Sequence, residues 1–301
     1  MNKVVIIKSN RSNLMSKDMQ NKHLVVENMF TDLEKIPSWI NEFCIFFKFH
    51  VFEKYYNPKL KNLDTEVIIV FDGHVRMQFL KWIQKYNPNK RIILYYWNTV
   101  KEIGNKMPMG KIPDGIEKWS YSKFDCEKYD LSYNNTFYST NYKISDCEIK
   151  RDVFFVGKDK GRLNELISLQ NQLKHLGLST FFHISPTYRF LLKTNKHYSS
   201  QIQYKEVLNE IAKSKAILDY SVSKTAGPTI RPLESIFHKR KLITDDFSII
   251  SYDFYDPNNI FVLGKDDIQK LPEFLNSPYR KINDQIVLRY SMECWLQRFF
   301  E

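Results

Sequence analysis

The chain has 301 residues, 43% of them hydrophobic and 26% charged, which excludes a wholly disordered, collagenous or rod-like protein and leaves room for two domains. A mean hydropathy of −0.44 argues against an integral membrane protein, and the most apolar stretch, residues 44–52, is broken by Lys48 and His50. The net charge of +11 points to an anionic partner; spread over both halves without a Lys/Arg block, it suits a phosphate-bearing small molecule or an anionic membrane face better than a nucleic-acid groove.

In chain order, Lys3 to Ile7 reads as a strand, as do Glu66 to Phe71 and Arg91 to Tyr96. Between the last two, Phe79, Leu80 and Ile83 mark a helix that the Asn87-Pro88 pair closes. From Trp97 to about Lys150 the sequence is rich in turns. The second half has a clearer grammar. Asp152 to Val156 is a buried strand, and Leu163 to Leu176 is an amphipathic helix stopped by Gly177. Leu178 to Ile184 follows as a strand. A helix carries Tyr204, Val207, Leu208, Ile211 and Ala212 on one stripe, and a strand follows at Ala216 to Tyr220. Thr229 to Phe237 is a helix, Lys241 to Thr244 and Asn259 to Leu263 are strands, and Asp284 to Phe300 is a last helix. Apolar strands alternating with helices predict α/β architecture with parallel sheets covered on both faces.

Several signatures are missing: the P-loop, G-x-G-x-x-G, G-x-S-x-G, H-E-x-x-H and D-x-D. A metal site has little support. The four cysteines (Cys44, Cys126, Cys147, Cys294) lack disulfide or zinc spacing, and no secretory leader opens the sequence, so a reducing cytoplasm is the expected location.

Ligands of open parallel sheets bind beyond the carboxyl ends of the strands, where helix N-termini offer free N–H groups to phosphate. Two loops qualify. One is Gly157-Lys158-Asp159-Lys160-Gly161-Arg162, whose three cations suit a diphosphate, Arg162 foremost through its planar fork. The other runs from Ser221 through Lys224, Thr225, Gly227, Pro228 and Thr229 to Arg231 and Glu234, a small hydroxyl-rich cradle with an acid one helical turn further on. That acid could accept both hydroxyls of a ribose.

The segments YKEVLNEIAKSKAILDY, GPTIRPLESIFHKRKLIT and SYDFYDPNNIFVL resemble the small bacterial GT-B glycosyltransferases of lipopolysaccharide, capsule and exopolysaccharide assembly. So do RIILYYWNTV, WSYSKFDCEKYDLSYNNTFY and DVFFVGKDKGR. The resemblance covers most of residues 65–265. It implies two facing Rossmann-like domains: an acceptor-side domain at 1–149, a nucleotide-sugar domain at 150–284, and a helix at 285–301 crossing back to the first. It further implies no cofactor and no bound metal, and it matches Glu234 to the ribose-holding acid, with Gly227 to Thr229 at the phosphates and Tyr204 also on the donor side. Ala226 stands eight residues before Glu234, where many retaining relatives have a second acid, so inversion is expected.

Inversion needs a general base. Asp72 and His74, after the strand at 66–71, are the candidates, and Trp97 and Asn98 are expected on the acceptor side. The expected partners are a nucleotide-sugar donor and a glycan or lipid-linked glycan acceptor, with the basic surface allowing peripheral contact with the inner membrane face and no role for nucleic acid. The competing readings are a catalytically silent GT-B-like partner of a synthase complex and a basic nucleic-acid-binding protein.

Overall fold

The structure, a computed structural model, describes residues 3–8, 20, 23–31, 53–72, 77–103, 109–192, 194–221 and 227–301. The chain divides into two compact units, Met1–Asn134 and Asn135–Glu301. Each is built on a parallel sheet, the α/β class that the sequence predicts.

In the first unit the strands are β1 (Val4–Lys8), β2 (Leu24–Asn28), β3 (Val67–Phe71), β4 (Arg91–Tyr96), β5 (Ile116–Ser120) and β6 (Ser132–Tyr133). They lie in the order β2-β1-β3-β4-β5-β6, with every pairing parallel. The described helices are α1 (Met77–Tyr86), α2 (Val100–Ile103) and α3 (Lys123–Tyr129). Central parallel strands are covered on both faces, so β3 and β4 are apolar almost throughout rather than alternating, and Ile68, Ile69, Val70, Ile93 and Leu94 are fully buried. Phe79, Leu80 and Ile83 of α1 pack into the same core. Asn87 ends that helix: its side-chain amide donates to the carbonyls of Ile83 (3.0 Å) and Leu60 (2.9 Å).

Sequence reading did not find β2, β5 or β6. The middle strand of these, IEKWS, carries Glu117 and Lys118 at its centre, and its acid pairs with Arg91 of β4 at 2.6 Å. A strand stabilised by an ion pair across the ladder has no apolar run to announce it.

The second unit contains β7 (Arg151–Lys158), α4 (Leu163–His175), β8 (Thr180–Ser185), α5 (Tyr204–Ala212), β9 (Ser214–Asp219), α6 (Ile230–His238), β10 (Lys241–Thr244) and β11 (Ile260–Val262). Three short helices follow, α7 (Leu271–Asn276), α8 (Asp284–Leu288) and α9 (Met292–Gln297). Its order is β11-β10-β9-β7-β8, again all parallel. The two-residue period of the strands sorts the core. Val153, Phe155, Ala216 and Leu218 meet Leu166 and Leu173 of α4 and Leu271 of α7, whereas Phe154 and Ile217 meet Val207, Leu208 and Ile211 of α5.

Both sheets therefore share one pattern, in which the first strand has the second on one side and the third on the other. This reversal creates a crevice at the carboxyl edge, between β1 and β3 in one unit and between β7 and β9 in the other.

Two boundaries differ from expectation. The division falls after Asn134 rather than after residue 149. The run before β7 is already fastened to the second unit: Thr136 Oγ1 donates to the Pro228 carbonyl (2.8 Å), and Tyr138 N–H to Tyr290 (2.8 Å). The single helix expected over 284–300 is broken at residues 289–291. There the backbone pairs with Tyr138, Met292 N–H donating back to the Tyr138 carbonyl at 3.0 Å, and Ser291 restarts the helix by accepting from Cys294 N–H at 3.2 Å. Trp295 of α9 is fully buried, its ring 4.4 Å from that of Phe137. Phe137 and Tyr138 thus belong to the second unit, not to the first half as the expected border had it.

Candidate functional site

At the edge of the first sheet the structure brings together Asp72, Trp97 and Asn98. Asp72 follows β3 and is 2% exposed. Its Oδ2 accepts the Asn98 N–H at 3.0 Å and the Asn98 side-chain amide at 3.2 Å, and the Trp97 N–H also points to it. Burial pushes the carboxyl up to about 7, against these hydrogen bonds, and the nearby Glu102 adds to the rise. Trp97 packs beside the group through Phe71, ring centroids 5.7 Å apart. The arrangement is a buried carboxyl able to exchange a proton near neutral pH, beside an aromatic ring and an amide. His74 lies outside the described residues.

The edge of the second sheet is organised differently. Glu234, on α6, is 0% exposed and has both oxygens occupied. One forms an ion pair with Arg231, and the other accepts from Tyr204 Oη at 2.8 Å. Tyr204 and Tyr138 Oη are 2.8 Å apart, and Tyr138 Oη and His238 Nε2 are 2.7 Å apart. Each phenol has one proton. Since Tyr204 gives its own to Glu234, Tyr138 donates to Tyr204, and His238 Nε2 carries the proton that reaches Tyr138. Burial, helped by Arg240 and Lys143, lowers the His238 pKa to about 4, which keeps this imidazole neutral. Arg231 also reaches the Val156 carbonyl at 3.3 Å, tying α6 to the end of β7. Glu234 is the acid expected to grip a ribose; in this structure both of its oxygens are held by protein groups, Arg231 and Tyr204. Tyr204 acts on Glu234.

The loop after β7 is likewise held by protein partners. Arg162, expected to face phosphate, donates in this structure to the carbonyls of Tyr220, Lys158 (3.2 Å) and Asp159 (3.1 Å), which clamps two loops together. Asp159, 6% exposed, accepts from Thr187 N–H (2.6 Å), Thr187 Oγ1 (2.8 Å), Tyr198 Oη (3.1 Å) and Gly161 N–H (3.2 Å). Burial raises its carboxyl, but these donors together outweigh that and hold it below the usual range. Lys160 N–H is taken by Thr187 Oγ1 (3.0 Å). The N–H groups that were to face a diphosphate face the loop's own acid and Thr187. Gly157 pairs with Ile184 at the end of the strand, and Lys158 and Lys160 keep exposed side chains.

In the second loop, Lys224 and Thr225 lie outside the described residues. Gly227 adopts φ +95°, in the left-handed region, and its N–H reaches Asp246. Pro228 gives its carbonyl to Thr136. Thr229 stands at the N-cap of α6, but its hydroxyl turns to Asp219 (3.3 Å) rather than to the helix. Asp219, Asp245 and Asp246 gather where β9 and β10 end, all buried, and burial followed by the two neighbouring acids pushes Asp219 up to about 7. Sequence reading missed this cluster and the Tyr138–His238 extension; the acid that ends the strand AILD and the two that directly follow KLIT were the visible signal for the cluster. Among the described residues no three His, Cys, Asp or Glu side chains are placed to hold a metal ion, and no helix is long and apolar enough to cross a membrane.

No family model matches the sequence, and comparison with curated proteins finds no relative. Solved structures similar to this chain include T4 phage BGT in complex with its UDP-glucose substrate, at 12% identity over 99% of this chain and 98% of that one, with a TM-score of 0.49. A second is the DNA-modifying enzyme beta-glucosyltransferase with and without uridine diphosphoglucose, at 13% identity over 98% and 94%, TM-score 0.46. A third is alpha1,3-fucosyltransferase with GDP, at 12% identity over 99% and 81%, TM-score 0.38.

Proposed function

We propose that the chain is an inverting glycosyltransferase of GT-B type, moving a sugar from a nucleotide donor onto a hydroxyl of a cell-surface glycan precursor. One observation carries this reading: a buried carboxyl poised near neutrality at the crevice of the first sheet, with Trp97 and Asn98 beside it. In a single displacement the acceptor oxygen bonds to the anomeric carbon as the bond from that carbon to the phosphate oxygen breaks. Asp72 takes the acceptor's proton, and the nucleoside diphosphate leaves. A base with a pKa near the working pH combines a usable ionised fraction with proton affinity. Arg231, held by Glu234, supplies positive charge at the edge of the second sheet, and Lys158 and Lys160 add to it.

A second reading, a catalytically silent binding partner, has its own support: the acid and the loop amides expected to grip the donor already have protein partners. A panel of UDP-, GDP-, CMP- and dTDP-sugars separates the two. The enzyme reading expects one donor to raise the melting temperature by linkage and to release its nucleotide slowly in the presence of the chain. Stabilisation with no release or transfer supports the silent partner, and no response to any donor defeats both.

A further inference from the structure

A cavity of about 760 Å³ opens in the second unit beside the first turns of α4 and the segments that follow β9, β10 and β11. It is distinct from the Arg231–Glu234 site, neither of which lines it. Its wall includes α4, which packs on one face of the sheet, whereas α6 packs in the core of the other. The charged residues of its lining are Glu165, Asp245 and Asp266. Among the described residues no Lys, Arg or His lines it, although Lys265 stands 4.0 Å from Asp266 and the charge of Arg162 is felt at Asp245 from outside the lining.

Asp245 is the informative residue. It is 3% exposed, and its Oδ1 accepts the Ser221 N–H at 2.7 Å. Its Oδ2 is buried and has no hydrogen-bond partner among the described residues. A buried carboxylate oxygen without a donor is destabilising, and native structures rarely leave one so. Asp219 and Asp246 share the same strand ends and add negative charge, which Arg162 opposes in part. Around it, Asn164 and Gln172 offer neutral hydrogen bonds, while Leu169, Leu263 and Ile268 form apolar wall. We propose that this cavity binds a small organic cation, with an ammonium group on Asp245 and its carbon body against the leucines and isoleucine. An ammonium supplies the donors that Oδ2 lacks, and the volume lies in the range of small-molecule sites.

Calorimetry on the full chain tests this with spermidine and glucosamine as ammonium probes and glucose as the neutral control. At least one ammonium probe is expected to bind, and glucose is not. Asp245→Asn should weaken binding about tenfold or more, as expected for losing a charge-assisted contact. Glu165→Gln, at an exposed helix position, should weaken it a few-fold without disturbing the fold. Asp64→Asn, an exposed acid of the other unit, should change nothing. Failure of both amines to bind at about 10 mM, equal binding of glucose, or an equal loss in Asp64→Asn overturns the proposal. If Asp245→Asn does not fold, unchanged affinity in Glu165→Gln overturns it alone. Donor binding does not enter these readouts, so the assignment stands or falls apart from the transferase reading.

Discussion

The two sheets have the same strand pattern and the same crevice, yet their carboxyl edges are furnished in opposite ways. In the first unit Asp72 is surrounded by amide donors and an aromatic ring, with no ion pair among the described residues to fix its charge. In the second, Glu234 is tied to Arg231, Asp159 is enclosed by hydroxyl and amide donors, and Arg162 is spent on carbonyls. Shared topology gives a place for chemistry; side-chain pairing decides whether that place titrates or is locked. Asp219 sharpens the point. Its carboxyl reaches about 7 like that of Asp72, but after burial two neighbouring acids push it up, whereas at Asp72 hydrogen bonds from Asn98 and Trp97 oppose the rise and only Glu102 adds to it.

The contrast can be broken first at the locked edge. Glu234→Ala leaves Arg231 buried without its partner and should cost about 3–5 kcal/mol in a denaturant titration. Glu234→Gln, which keeps an acceptor for Tyr204, should cost less. An alanine variant as stable as the parent would mean that the network holds nothing in place.

At the open edge the expected loss is catalytic. Asp72→Asn should lower turnover roughly a hundredfold while leaving donor affinity intact. A base works ionised, so kcat/KM of the parent should rise with pH through about 7 and then level. Near-normal turnover in the amide variant would move the reactive group away from this edge.

The smallest effect lies with Asp219. A carboxyl whose folded pKa is raised binds more protons folded than unfolded, so stability falls as pH rises from about 4 to about 7. Asp219→Asn mimics the neutral form. It should raise the melting temperature by a few degrees at pH 8, on the order of 1 kcal/mol, and bring little gain at pH 4. Equal shifts at both pH values would show that charge is not the cause.

Much of the second unit could be read in the sequence, because β7, β9 and β10 are short apolar runs bounded by polar loops. The first unit was harder: β5 depends on an Arg–Glu pair between strands, which no local pattern encodes. Asp72, Trp97 and Asn98 were legible because each directly follows an apolar strand. The Tyr138–His238 contact spans 100 residues and was not. Arg162 shows the limit of composition. A cation in a glycine-bounded loop suits phosphate, but only the fold shows that carbonyls of the neighbouring loop already occupy it.

The pairing of Tyr138 with residues 290–292 has a consequence for biosynthesis. The stretches around Tyr138 and residues 290–292 hydrogen-bond to each other, so this perimeter closes only once residues 290–292 have left the ribosome. The first unit has its whole sheet by Tyr133 and can complete itself while the rest is still being made. The nascent chain therefore carries one finished unit and one open ring, whose exposed seam around Phe137 waits for Trp295.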